Sequence, residues 1–259
     1  LAGMCRILGI LALVTLGLAA RGEEPLRVGM ELAYPPFEMT NFAGEPAGVS
    51  VDLARALGEH LDRGVEIVNI PFSGLIPALR TGKVDLVISS MTRTDERARA
   101  VDFSEPYLST GLAILAGAGS GVAGVGDLDE GGRTVAVKQG TTGHLYAVRN
   151  LPEATVLVLE KESAAVLEVV QGKADAFLYD QMSTYRHWSR HPESTVAILK
   201  PFQREHWAVA LPKGSDKLRA RVNAFLREFR SSGGFERLGN RYLAEEKAAF
   251  ARQGIPFVF

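Results

Sequence analysis

Cysteine is nearly absent from this sequence. Its single copy, Cys5, precedes an apolar stretch near the N-terminal end. Disulfide and thiol chemistry are therefore excluded from everything that follows, whatever the redox state of the compartment. An excess of either charge is missing too: 29 Lys and Arg stand against 30 Asp and Glu, a formal net charge of −1. That balance leaves no basic footprint, and no nucleic-acid partner is expected. Beyond the N-terminal stretch, no apolar run approaches the length that crosses a bilayer.

What is there begins with that stretch. Arg6 supplies a positive start, Ile7 to Leu18 is apolar, and Ala19-Ala20 gives small residues before a polar Arg-Gly-Glu-Glu. This is the pattern of a secretory signal peptide over residues 1–22, cleaved between Ala20 and Glu23. A periplasmic or otherwise extracytoplasmic protein is expected. No cysteine follows the apolar core, so a lipid-anchored cysteine there is not available.

The rest alternates short apolar runs with amphipathic segments, an α/β pattern. Its organising stretch runs from Leu86 to Tyr107. A strand over Val84 to Ile88 ends in Ser89, Ser90, Met91 and Thr92; Thr94 then caps a helix whose first turn holds Asp95 and Glu96. Arg97 falls about one turn beyond the strand end, where open α/β sheets bind ligands. An arginine among hydroxyls suits a bidentate carboxylate clamp, although pairing with a surface acid is the competing role.

Upstream, Tyr34-Pro35-Pro36-Phe37 reads as a stiff loop after a strand over Leu26 to Met30, with Tyr34 toward a pocket and Phe37 toward the core. Ser50 is expected to cap a helix carrying Leu53, Leu57 and Leu61. Downstream, a strand over Thr134 to Lys138 breaks at Gln139-Gly140. Thr141 and Thr142 then open a helix whose N-terminal amides form an anion site. Gly119 to Gly124 spells G-x-G-x-x-G, but no strand–turn–helix context surrounds it, and a surface loop is expected instead. His187 and His191 are four apart on a helix with no third ligand in view; a surface pair is expected rather than a metal site. No cofactor is called for.

One stretch occurs twice. Ile76 to Ser90 and Leu167 to Asp180 each carry an apolar helix closed by Gly-Lys-x-Asp, then a buried strand ending in polar residues. Those residues are Ser89 and Ser90 in one copy, Tyr179 and Asp180 in the other. Two similar α/β lobes follow from this echo. If they face each other, Arg97 and Asp180 become complementary partners for one zwitterion, while Asp180 also suits an N-cap. A long amphipathic helix with Leu218, Val222, Phe225, Leu226 and Phe229 comes next, then a final helix ending near Tyr242-Leu243.

These segments together resemble the extracytoplasmic solute-binding proteins of polar amino-acid ABC importers, family 3. The likeness is carried by Tyr34-Pro35-Pro36-Phe37-Glu38, Gly48-Val49-Ser50-Val51-Asp52-Leu53 and Phe72-Ser73-Gly74-Leu75-Ile76-Pro77-Ala78-Leu79. It continues through Gly82-Lys83-x-Asp85, Thr92-x-Thr94-x-x-Arg97, Asp102-Phe103-Ser104-x-Pro106-Tyr107, Gly140-Thr141-Thr142 and Asp175-Ala176. The resemblance implies a two-lobed periplasmic-binding-protein-like fold of type II with two hinge crossovers. Lobe 1 would span 23–110 and 208–259, and lobe 2 would span 111–207. It implies that Arg97 clamps an α-carboxylate with the Thr142 amide and Thr92, while Asp180 and the Ser90 carbonyl take the α-ammonium. Tyr34 and Phe72 would flank the side chain, with Glu31 and Tyr179 near its tip; Ser89 and Thr141 complete the set. The implied partners are a free amino acid and a membrane permease, and a monomer is expected. Glu31 stands where aspartate is usual, which hints at a cationic or amide side chain. Ser50 also replaces a usual aspartate. The nearest enzyme alternative on such a fold is a cyclohexadienyl dehydratase-like activity, for which Glu31 could serve as general acid.

Overall fold

A computed structural model of the chain describes residues 24–256. The stretch read from the sequence as a signal peptide, with Cys5, and the last residues of the tail lie outside them.

The first half opens with β1 (Leu26–Met30), then a small antiparallel sheet of β2 (Ala33–Tyr34), β3 (Glu38–Thr40) and β4 (Pro46–Ala47). It continues through α1 (Val49–Leu61), β5 (Val65–Asn69), α2 (Leu75–Arg80), β6 (Leu86–Val87) and α3 (Asp95–Ala100). A long strand, β7 (Asp102–Gly117), carries the chain across to β8 (Thr134–Lys138), α4 (Thr142–Asn150), β9 (Thr155–Leu159), α5 (Glu162–Val170), β10 (Ala176–Asp180) and α6 (Gln181–Arg190). A second long strand, β11 (Thr195–Leu211), brings it back to α7 (Asp216–Ser231), α8 (Gly234–Tyr242) and α9 (Ala244–Arg252).

The strand order is β5-β1-β6-β11-β7-β10-β8-β9. Its two ends are mirror statements of one plan. β5-β1-β6 are parallel on one side, β9-β8-β10 are parallel on the other, and antiparallel β11 and β7 stand between them. Each half has helices on both faces of its strands, as parallel strands require. Leu26, Val28, Leu53, Leu57, Val222, Phe225 and Leu226 pack one face of the first half, and Leu75, Leu79, Val84 and Val101 pack the other. In the second half the corresponding clusters centre on Val135, Val137 and Leu178, and on Ala165, Val169 and Phe177. Burying one such leucine or valine contributes about 1.5–3 kcal/mol.

The repeated Gly-Lys-x-Asp has one structural job in both halves. Gly82 and Gly172 close their helices at φ +71° and +70°, the left-handed region where a side chain would be strained. The aspartates then dock on the first parallel strand of each half. Asp85 Oδ2 accepts from the Arg27 amide (2.9 Å), and Asp175 Oδ2 accepts from the Thr134 amide (2.7 Å). Each aspartate also pairs with an arginine, Arg27 or Arg133. The echo in the sequence is thus a repeat in space.

Several local expectations are corrected. Ser50 is not an N-cap: α1 starts at Val49 after Gly48, and the Ser50 hydroxyl donates to Glu38 Oε2 (2.6 Å), because a buried carboxyl needs donors. The strand over Val84 to Ile88 contributes only Leu86 and Val87 to the ladder. The two passages between the halves are the continuous strands β7 and β11, with a register shift in their pairing between Ile198 and Gln203. A short 3-10 turn over Val125–Asp129 follows the glycine-rich loop, held by Asp127 accepting from the Ala123 and Gly124 amides (2.8 and 2.9 Å). The chain also forms a further helix, α9, that its charged composition concealed.

Candidate functional site

Both repeats deliver their strand ends to one place. The polar ends of β6 and β10, the N-termini of α3 and α4, and the β1–β2 turn converge on a narrow cavity of about 30 Å³ between the halves. Every residue nominated from the sequence lines it: Glu31, Tyr34, Phe72, Ser89, Ser90, Thr92, Arg97, Thr141, Thr142, Tyr179 and Asp180. The first half supplies those up to Arg97, and the second half supplies the rest.

Arg97 is 7% exposed. Thr94 caps α3 by accepting from the Arg97 amide (3.1 Å), which fixes the turn that aims the side chain inward. Arg97 Nη1 donates to the Thr92 carbonyl (2.6 Å), and Nη2 donates to the Gly140 carbonyl in the other half (3.0 Å). A guanidinium has five N–H donors, so donors remain for an incoming carboxylate. Burial pulls the guanidinium's pKa down, and the nearby Glu205 carboxylate opposes that pull.

Asp180 ends β10 and caps α6. Its Oδ1 accepts from the amides of Met182 (2.9 Å) and Ser183 (3.1 Å), so the cap predicted from sequence coexists with a place in the cavity. Its Oδ2 accepts from the Tyr34 hydroxyl (2.7 Å). Burial pushes this carboxyl up to about 7, against the pull of the Tyr34 hydrogen bond. Tyr34 itself stacks on Phe37 at 5.4 Å between ring centroids, and Trp207 meets both rings edge-on at 6.0 and 5.0 Å. The aromatic floor holds the Tyr34 hydroxyl in place, and Phe37 is core, as its sequence position predicts.

Thr141 caps α4, accepting from the His144 amide (3.3 Å), while its hydroxyl donates to the Lys138 carbonyl (2.7 Å). Thr142 begins the helix, with the free N-terminal amides of α4 beside it. Ser90 sits at φ +47°, an uncommon conformation for serine that turns the chain sharply after β6. Strain of this kind concentrates at binding sites.

Sequence reasoning missed Glu38, Leu112, Glu205 and Trp207, which also line the cavity, and Lys138, which meets it through Glu31. Glu38 accepts from the hydroxyls of Ser50 (2.6 Å), Ser89 (3.2 Å) and Ser90 (3.1 Å). Those hydroxyls pull its pKa back, yet burial wins and pushes it up to about 8. Glu205, on hinge strand β11, accepts from the Thr92 hydroxyl (3.0 Å) and faces Thr142; burial raises its pKa too. The acid next to Tyr-Pro-Pro-Phe was a readable signal for Glu38, with three serines close to it in the fold. Nothing local marks Glu205. His187 bonds to Glu162 (2.7 Å), away from this cavity.

A family model described as bacterial extracellular solute-binding proteins, family 3, matches residues 26–245. The chain belongs to this family. Among family-3 relatives, an L-arginine-binding protein of Pseudomonas aeruginosa is 32% identical, covering 92% of this chain and 95% of its own. Among solved structures, a binding component of an ABC transporter from Wolinella succinogenes complexed with lysine has a TM-score of 0.80 at 33% identity, covering 88% of this chain and 98% of its own. An ancestral amino acid-binding protein, a precursor of cyclohexadienyl dehydratase, has a TM-score of 0.78 at 35% identity, with 86% and 96% covered. The two-lobed type II architecture expected from the sequence is therefore the fold of this family-3 chain.

Proposed function

We propose that the protein captures a polar L-α-amino acid in the cleft between its lobes, outside the cytoplasm, and delivers it to the permease of an ABC importer. The observation that carries this reading is the pairing of Arg97 and Asp180 in one cavity, one from each half, both almost wholly buried. A zwitterion supplies the opposite charge to each, which a buried ion requires.

Arg97, the Thr142 amide and Thr92 take the α-carboxylate. Asp180 and the Ser90 carbonyl take the α-ammonium, and Tyr34 and Phe72 flank the side chain. Ser89, Thr141, Glu31 and Tyr179 complete the walls, with Glu31 and Tyr179 at the far end. Residues 23–110 and 208–259 act as one lobe and 111–207 as the other, on the hinge of β7 and β11. Contacts from half to half already hold this conformation together: Arg97 to the Gly140 carbonyl, Tyr34 to Asp180, Lys138 to Glu31, and Arg149 to Glu96. A ligand touching both lobes biases an open–closed equilibrium toward this state. The protein works as a monomer in the periplasm or an equivalent extracytoplasmic space.

The reading is tested by unfolding and refolding the protein to strip bound ligand, then measuring thermal shifts against the common amino acids. Ligand at a hundredfold over Kd adds about 2.7 kcal/mol of stability. The shift is expected for one or a few polar amino acids and is lost in Arg97→Ala and Asp180→Ala. Silence toward all amino acids overturns it. Binding without turnover is the proposed activity, and conversion of prephenate or arogenate by pure protein would contradict that part.

A further inference from the structure

The far end of the cleft holds a cation of the protein's own. Lys138 is the last residue of β8, and its side chain is 2% exposed. Its ammonium pairs with the Glu31 carboxylate and lies 5.6 Å from the Phe72 ring centroid, a ring that also faces the Arg97 guanidinium at 5.4 Å. Glu31 lines both the inner cavity and a wider cavity beyond it, and Lys138 lines the wider one. The Glu31–Lys138 pair therefore stands at the junction and closes the inner cavity where the tip of a bound side chain would end.

An unpaired acid at that point would select a cationic tip. Here the acid is already neutralised. A guanidinium or ammonium brought to Glu31 would stand beside Lys138, like charge against like, in a site with little water to screen them. Lys138 could give way only by losing its single ion-pair partner among the described residues while still buried, which is costly. A carboxylate tip would gain Lys138 but meet Glu31, with the raised-pKa acids Glu38 and Asp180 in the same cavity. A carboxamide meets neither objection. Its N–H donates to Glu31 and its oxygen accepts from Lys138, and no net charge is added.

We infer that the Glu31–Lys138 pair is a carboxamide subsite, so that the captured amino acid belongs to the glutamine and asparagine class rather than the arginine and lysine class. This rests on the reading of the cleft as an amino-acid site.

The test is calorimetric titration of stripped, refolded protein with glutamine, asparagine, glutamate, arginine and lysine. Glutamine or asparagine is expected to bind at least tenfold tighter than arginine and lysine. Lys138→Met frees the Glu31 charge and should shift the ratio at least tenfold toward arginine. Glu31→Gln frees the Lys138 charge and should shift it the other way, raising glutamate relative to glutamine. Circular dichroism checks that each variant folds, and should Lys138→Met fail to fold, Glu31→Gln decides alone. Arginine or lysine outranking both amides in the unaltered protein overturns the inference, as do folded variants that leave the ratios unchanged. Those results spare the amino-acid reading, whereas binding of no amino acid at all sinks both.

Discussion

Asp180 should make amino-acid capture depend on pH in a range where free amino acids change little. In the unliganded cleft its carboxyl titrates at about 7, because burial outweighs the Tyr34 hydrogen bond. The α-ammonium needs the ionised form, so binding below that value must expel a proton. For a group titrating near 7, about nine-tenths is ionised at pH 8 and about one-thirtieth at pH 5.5. The apparent affinity should therefore fall about thirtyfold between those pH values, roughly 2 kcal/mol. Near pH 6.5 about three-quarters of a proton should leave per ligand bound. Calorimetry in two buffers of different ionisation enthalpy reads both quantities. Asp180→Asn should bind weakly, by about 3–5 kcal/mol, because the ammonium loses its buried partner, and its residual affinity should lose most of that slope, the remainder coming from the other buried acids of the cavity, Glu38 and Glu205. A flat profile in the unaltered protein, or the same slope in Asp180→Asn, would show that Asp180 is not the group that titrates.

Three further outcomes follow from the structure. Glu38 titrates at about 8 in the fold, above an unfolded carboxyl, so the folded chain holds its proton longer. Its contribution is complete below about pH 4 and is lost as pH rises toward 8, at up to about 1.4 kcal/mol per unit. Urea unfolding should therefore show Glu38→Gln gaining on the unaltered protein from pH 5 to pH 8, and a variant that loses ground on it over that range would contradict the sign. A Cβ at Gly143 would lie 2.5 Å from the Leu178 carbonyl oxygen, so Gly143→Ala must push α4 off β10. It should cost about 1–3 kcal/mol in denaturant midpoint analysis and weaken ligand binding by displacing Thr142, and undiminished affinity would disconnect α4 from the site. At Gly111 the same atom would lie 2.5 Å from Pro201 Cβ and 2.7 Å from the Gln203 carbonyl oxygen, between the hinge strands. Gly111→Ala should alter the liganded-to-unliganded change in small-angle scattering radius, and an identical change would show that the hinge tolerates splaying there.

The residues that the sequence made legible are those whose chemistry is local. Thr94 caps the helix that carries Arg97, Asp180 caps α6, and Gly82 and Gly172 close their helices, and each of these is set by neighbours within a turn. The doubled Gly-Lys-x-Asp revealed the lobes because the same docking of an aspartate on a strand is needed twice. What stayed hidden depends on partners far along the chain. Lys138 meets Glu31 across 107 positions, and Glu205 meets Thr92 across 113. Ser50 was misread for the same reason: its hydroxyl serves Glu38, a residue outside its helix. The lengths of β7 and β11 do not show in a short sequence window, because each strand runs from one lobe into the other.

If one cleft grips both charges of an α-amino acid, both grips show in a titration of stripped protein with its best amino acid, with that compound's α-methyl ester, and with its deaminated acid. The ester leaves Arg97 without a carboxylate, and the deaminated acid leaves Asp180 without an ammonium. Each analogue is expected to bind at least a hundredfold more weakly, about 2.7 kcal/mol or more. Equal binding of either analogue would contradict the account.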